Sequence, residues 1–231
     1  MLTIVLLPGM DGTGSLFGPF ISALGNHFNI IVVRYPTTGS LGYRELEGIA
    51  RLSLPNNENF IILGESFSGP IAVSLAAAHP KGLIGLVLCS TFIRNPRPVF
   101  KPFNWLVDFL PVKLTPDFIH SHFLMGRSAT NSLQSAMKIA INQVSASAFR
   151  TRARAVLGVD VCAQMSSVNV PALYLQATQD RLVPPSAAAE ITNIYPKIEI
   201  VSIDAPHFLL QVAADEAATV VIRFANKICS S

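Results

Sequence analysis

With 231 residues, half of them hydrophobic and only 13% charged, the chain can bury a large core in one domain, with or without an insertion. That excludes a disordered or fibrous protein, and apolar runs as short as 71–78 and 83–89 exclude a membrane span, which needs roughly 18 residues. With a net charge of +3, the lack of a recognised binding motif or aromatic stacking platform argues against a nucleic-acid partner.

In chain order, the opening MLTIVLLPGMDG has no basic region before its apolar stretch and no small-residue cleavage site after it, so it reads as a first strand, 3–7, of a cytoplasmic protein. Further β-branched-rich runs at 29–34, 59–63, 83–89, 172–177 and 198–203 read as strands. Helical patterns lie between and after them, at 16–24, 43–52, 70–78, 185–194 and 212–227. This alternation predicts an α/β fold, a mostly parallel sheet of about six strands flanked by helices. Residues 92–160 carry no clear strand, and Pro96, Pro98, Pro102 and Pro111 break any long helix at the start of that segment. It reads as an inserted helical cap on a core made of 1–91 and 161–231.

Charge follows the same division. Between Arg94 and Arg154 stand nine basic residues against Asp108 and Asp117, a net of +7 that leaves −4 elsewhere. Such a run is either a solvated face or a field that greets an anionic substrate or an acidic carrier protein. Cys89, Cys162 and Cys229 make neither a CxxC pair nor an even set, which argues against disulfides and zinc. His120 and His122 lack an accompanying carboxylate or cysteine cluster, so no metal or organic cofactor is expected.

The most informative stretch is 60–78, an apolar strand entering Gly64-Glu65-Ser66-Phe67-Ser68-Gly69 and leaving as an alanine-rich helix. A sharp turn there presents the Ser66 hydroxyl clear of the backbone at the sheet's C-terminal edge, with small residues at Gly64 and Ser68 letting strand and helix cross. A serine nucleophile needs a base, an orienting acid and oxyanion donors. Asp180, in the loop after 172–177, and His207, after 198–203, supply the first two in workable chain order. Asp204 and Asp160 are weaker candidates for the acid, and His27 and His79, near helix ends, are weaker for the base. The glycine-rich LLPGMDGTG after the first strand would place the Met10 amide beside that of Phe67 as the oxyanion hole. A phosphate loop is the rival, but the segment lacks both the P-loop ending and the dinucleotide spacing.

Taken in order, LLPGMDGTG, GESFSGP, TQDRLVPP and DAPHF make the chain resemble the α/β-hydrolase superfamily over essentially its whole length. The pattern departs from it in three places. Ser68 stands at the second flank of the corner, where glycine is usual. Pro8 stands where many members carry histidine, and the leading antiparallel strands are missing. The resemblance implies the α/β-hydrolase fold with a helical cap inserted after the strand ending at Cys89, and a Ser66-His207-Asp180 triad cleaving an ester or thioester through an acyl-enzyme. In size, basic cap and closing motifs the chain is most similar to small carboxylesterases, including the pimeloyl-carrier-protein methyl esterases. The LPGMDGTG segment also resembles acyltransferases and thioesterases of the fold, so acyl transfer and slow-turnover ligand binding stay open. The substrate expected is a small-molecule acyl ester bound by a monomer, with Trp105, Phe109 and Phe123 lining an acyl pocket. Arg150, Arg152 and Arg154 would face an acidic acyl-carrier protein, Arg150 and Arg154 contributing to substrate binding.

Overall fold

The computed structural model describes residues 1–99, 105, 107 and 122–230. Its centre is β3 (Phe60–Glu65), where the sequence FIILGE is buried at every position. A strand covered on both faces needs an apolar run, here unbroken from Phe60 to Gly64, and it is joined on both edges. Around it lie β1 (Thr3–Leu7), β2 (Asn29–Val32), β4 (Leu83–Cys89), β5 (Ala172–Ala177) and β6 (Glu199–Ile203), all parallel, in the order β2-β1-β3-β4-β5-β6.

Successive side chains point to opposite faces, so the sheet feeds two cores. Val5, Leu7, Ile62, Leu86, Leu88 and Tyr174 pack beneath helices α2 (Tyr43–Leu52) and α3 (Gly69–Ala77). Ile4, Leu6, Ile61, Leu63, Val87 and Leu175 pack on the other face against α1 (Gly18–Leu24) and the long C-terminal helix Ala214–Cys229. The chain leaves β1 toward one edge of the sheet and returns through β3 toward the other. The crevice above β1 and β3 is therefore the place where loops diverge and a ligand can enter.

Between β4 and β5 the described chain adds α4 (Asn131–Gln143) and α5 (Ala146–Gly158). Each starts on a hydroxyl cap, the Thr130 side chain accepting from the Leu133 amide and the Ser145 side chain from the Ala148 amide. The two ends of this insertion meet. Arg94 and Asp160 form an antiparallel bridge, the Asn95 amide donates to Val159 at 3.1 Å and the Val161 amide to Ile93 at 2.8 Å. The remaining helices are α6 (Cys162–Ser167), α7 (Ser186–Ile194), α8 (Leu209–Val212) and α9 (Ala214–Cys229). Among the described residues no helix is long and apolar enough to cross a membrane.

Candidate active site

The chain turns at Ser66 without a glycine. Its φ of 49° lies in the left-handed region that side chains avoid, and it joins β3 to one tight helical turn, Ser66–Ser68, that runs directly into α3. The corner closes only because Gly64 has no side chain. A Cβ there would stand 2.7 Å from the Ala72 Cβ and 2.8 Å from the Ser68 carbonyl oxygen. Gly69 is equally constrained, since a Cβ would overlap the Thr91 side chain. Thr91 in turn donates its hydroxyl to the Ser66 carbonyl.

Parallel pairing brings the other loops to the same rim. Leu7 pairs with Gly64, so Pro8 to Met10 leave the sheet beside Ser66, and Ala177 pairs with Ile203, so the Asp180 and His207 loops rise together. Pairing even continues beyond the strands, with the Gln179 amide donating to Ala205 at 3.0 Å. The result is a line of three side chains. Ser66 Oγ lies 2.8 Å from His207 Nε2, and His207 Nδ1 lies 2.7 Å from Asp180 Oδ2. His207 is 4% exposed and the Asp180 side chain 5%, so little water competes for either bond. The second carboxylate oxygen of Asp180 accepts the Leu182 and Val183 amides at 2.8 and 2.9 Å, which fixes its orientation.

The weaker candidates sit elsewhere. Asp204 is exposed and accepts from Thr178 and Gln179; those hydrogen bonds, that from Gln179 first, hold its carboxyl below the ordinary range. Asp160 accepts the Cys162 amide and faces Arg94 at the base of the insertion. His27 and His79 are exposed, His79 closing α3 with a φ of 49°. His122 is bonded to Arg181, and His120 lies outside the described residues. No cluster of three metal-ligating side chains occurs among the described residues.

Ser66, His207 and Met10 border one cavity of about 370 Å³. Its far wall is apolar, made of Leu16, Leu124, Met137, Ile141, Phe149 and Phe208. Of the side chains expected to bind substrate, Phe123 borders this cavity. Trp105 is 58% exposed and stands outside its lining, as do the half-buried Arg150 and the exposed Arg154. Phe109 lies outside the described residues. Phe92 is packed into the core. Arg152 requires a correction, because it does not face a carrier at all. It is buried, and its guanidinium donates to the carbonyls of Met10, Asp11 and Pro36.

One further residue, Glu65, and the hydrogen bonds of Ser68 escaped the sequence reading. Glu65, beside the serine, borders the cavity while fully enclosed, with Gln211 Nε2 donating to its Oε1 at 2.9 Å. Burial pushes its carboxyl up to about 7; the Gln211 hydrogen bond pulls the other way, and Asp11 adds to the rise. Ser68, which replaces the usual second glycine of the corner, donates its hydroxyl to the Pro8 carbonyl and lies 2.9 Å from the Tyr35 hydroxyl. The apolar wall from α4 and α5 carried only the generic signal of amphipathic helices.

Comparison with known proteins bears on the whole arrangement. Residues 48–204 match the family described as serine aminopeptidase, S33. A protein from Agrobacterium fabrum that carries the name carbamate hydrolase RutD is 23% identical over 220 residues, covering 87% of this chain and 84% of that one. Phytyl ester synthase 1 of Arabidopsis thaliana, a chloroplastic protein, is 28% identical over 119 residues, which are 48% of this chain and 17% of that one. The solved structure of a hydrolase from Oleispira antarctica superposes with a TM-score of 0.83 at 17% identity, covering 97% of this chain and 90% of its own. The chain is a hydrolase of the α/β-hydrolase superfamily and belongs to its serine aminopeptidase S33 family.

Proposed function

We propose that the chain cleaves carboxylic esters of apolar acids through a covalent acyl-enzyme on Ser66. The observation that carries this reading is the line from Ser66 Oγ to His207 to Asp180, at 2.8 and 2.7 Å, opening into an apolar cavity. As Ser66 Oγ attacks the carbonyl carbon, its proton passes to His207 Nε2, and Asp180 stabilises the imidazolium that forms. The carbonyl oxygen becomes an oxyanion held by the Met10 and Phe67 amides, the second lying at the start of the turn that leads into α3. Collapse breaks the carbon–oxygen bond to the alcohol, which leaves with the proton from His207. Water then gives a proton to the same nitrogen, attacks the acyl carbon and releases the acid, returning the proton to Ser66.

The cavity favours a neutral, apolar acyl group. Among its described lining residues the ionisable side chains are Asp11, Glu65 and His207, with no lysine or arginine to receive a second carboxylate. That counts against a dicarboxylic acyl chain held by a cation within the pocket. A carrier protein would have to be recognised outside it, by Arg150 and Arg154 on the residue 92–160 cap. Reversing both charges is expected to slow carrier-linked esters and spare small ones; equal loss on both rejects the carrier.

Ser66→Ala tests the central reading. Turnover of p-nitrophenyl esters should fall roughly 10⁴–10⁶-fold with the melting temperature unchanged. A folded variant that retains turnover rejects the acyl-enzyme. Carbamates and amides of the same acids belong in the panel, because the relatives named for carbamate hydrolysis point to a nitrogen-bound carbonyl. A second reading, acyl transfer to an alcohol, is favoured by the match to a phytyl ester synthase and by the apolar wall of the cavity. Supplying a long-chain alcohol and finding ester in place of acid would select it.

A further inference from the structure

Helix α5 carries two side chains with different destinations. Phe149 borders the cavity, and Arg152, three residues on and therefore on the same helix face, turns into the protein and is 1% exposed. Its Nη1 donates to the carbonyls of Met10 and Asp11 at 2.8 and 2.9 Å, and its Nη2 to that of Pro36 at 2.7 Å. The guanidinium also sits over the Tyr35 ring, 5.9 Å from its centroid. Space is made by Gly12, with φ of +72°, where a Cβ would stand 2.7 Å from Nη1.

A buried cation is costly unless its donors are filled; here backbone carbonyls take donors from both Nη atoms, while Nε is buried without a partner. Burial lowers its pKa from the ordinary value and the Asp11 charge raises it, but an arginine stays protonated. Because peptide units are planar, holding the Met10 and Asp11 carbonyls fixes the units on both sides of Asp11 and restricts rotation at the Met10 Cα. The Met10 N–H hangs from that same Cα. At the other end of the loop the Ser68 hydroxyl holds the Pro8 carbonyl, so the three residues Pro8 to Met10 are clamped on both sides.

We propose that Arg152 is a positioning residue: it aims the Met10 amide at the oxyanion and makes that aim depend on an acyl chain seated against Phe149. This rests on the acyl-enzyme reading above. Loop and pocket wall are joined through one helix, so a long chain that settles α5 also settles the oxyanion donors.

The test compares Arg152→Met, which keeps the volume but loses the donors, and Arg152→Lys, which keeps the charge but loses the fork, with the native chain and Ser66→Ala. Each is assayed on p-nitrophenyl acetate and octanoate and titrated with an octyl trifluoromethyl ketone, whose adduct mimics the oxyanion. In Arg152→Met, octanoate kcat is expected to fall roughly 10- to 100-fold with KM changed by less than about threefold, and ketone affinity to weaken in step. Acetate kcat should fall less. Methylguanidinium should restore part of the octanoate kcat in Arg152→Ala. If Arg152→Met does not fold, Arg152→Lys carries the comparison. A folded variant with native kcat, or with lowered kcat but native ketone affinity, overturns the inference. Turnover that survives Ser66→Ala overturns the acyl-enzyme reading first, whereas Ser66-dependent turnover that ignores Arg152 overturns the positioning role alone.

Discussion

The Ser68 hydroxyl donates to the carbonyl of Pro8, so the corner at Ser66 and the loop beside it are joined through one oxygen. Having spent its proton on Pro8, Ser68 Oγ accepts from the Tyr35 hydroxyl 2.9 Å away. Burial holds that phenol well above its ordinary pKa, against the opposing effect of the Ser68 bond, so it keeps its proton to donate. Ser68→Ala therefore strands a buried donor and a buried acceptor at once, a cost of about 1–3 kcal/mol. Tyr35→Phe strands less. Urea denaturation of both single variants and the double variant should give a coupling of about 0.5–3 kcal/mol; strict additivity would contradict the shared network.

Glu65 makes stability depend on pH in a defined sense. Its folded carboxyl keeps the proton to about pH 7, while the unfolded one loses it near 4.5, so the folded state binds more protons between those values. Stability from this group is therefore greatest below pH 4.5, declines through the interval and is flat above 7, a total of roughly 3 kcal/mol. Glu65→Gln removes the slope. Its gain over the native chain should be several times larger at pH 8 than at pH 5 in denaturant titrations, and a pH-independent difference would refute the assignment.

Asp180→Asn keeps the shape of the acid but donates where His207 Nδ1 must also donate. The imidazole is then driven to the wrong tautomer, and kcat should fall roughly 10⁴-fold with little change in KM. Steady-state kinetics on a short ester measures this. Loss confined to KM would mean that Asp180 serves binding and not the base.

Ile141, on α4, stands in the apolar wall of the cavity. Replacing it with tryptophan should block the far end while leaving the line of three side chains untouched. Octanoate is expected to lose about tenfold or more in kcat/KM relative to acetate. An unchanged chain-length profile would place the acyl group elsewhere.

Much of this was legible in the residues. The strands 3–7, 83–89 and 172–177 coincide with β1, β4 and β5 because buried parallel strands must be apolar throughout, and the alternation with helices then left one architecture. That Ser66, Asp180 and His207 meet at one rim was readable because each follows a strand, and strand ends converge. Arg152 was misread as a docking cation because its neighbours Arg150 and Arg154 look alike in sequence; only the helical turn sends it inward. Glu65 escaped for the opposite reason. A glutamate beside a serine looks solvent-facing until the strand's last position proves to be under cover. The wall from Met137, Ile141 and Phe149 depends on how the insertion folds back over the sheet, which no local pattern states.

The insertion leaves and rejoins the sheet layer through a narrow neck, where Ile93 to Asn95 lie alongside Val159 to Val161. A neck of that kind lets sixty-odd intervening positions drift, lengthen or be exchanged between relatives while the chemistry beneath stays put. Such a graft would have one obligation: the incoming segment must deliver a guanidinium to the floor it covers, or the transplanted specificity would arrive with a slackened catalyst.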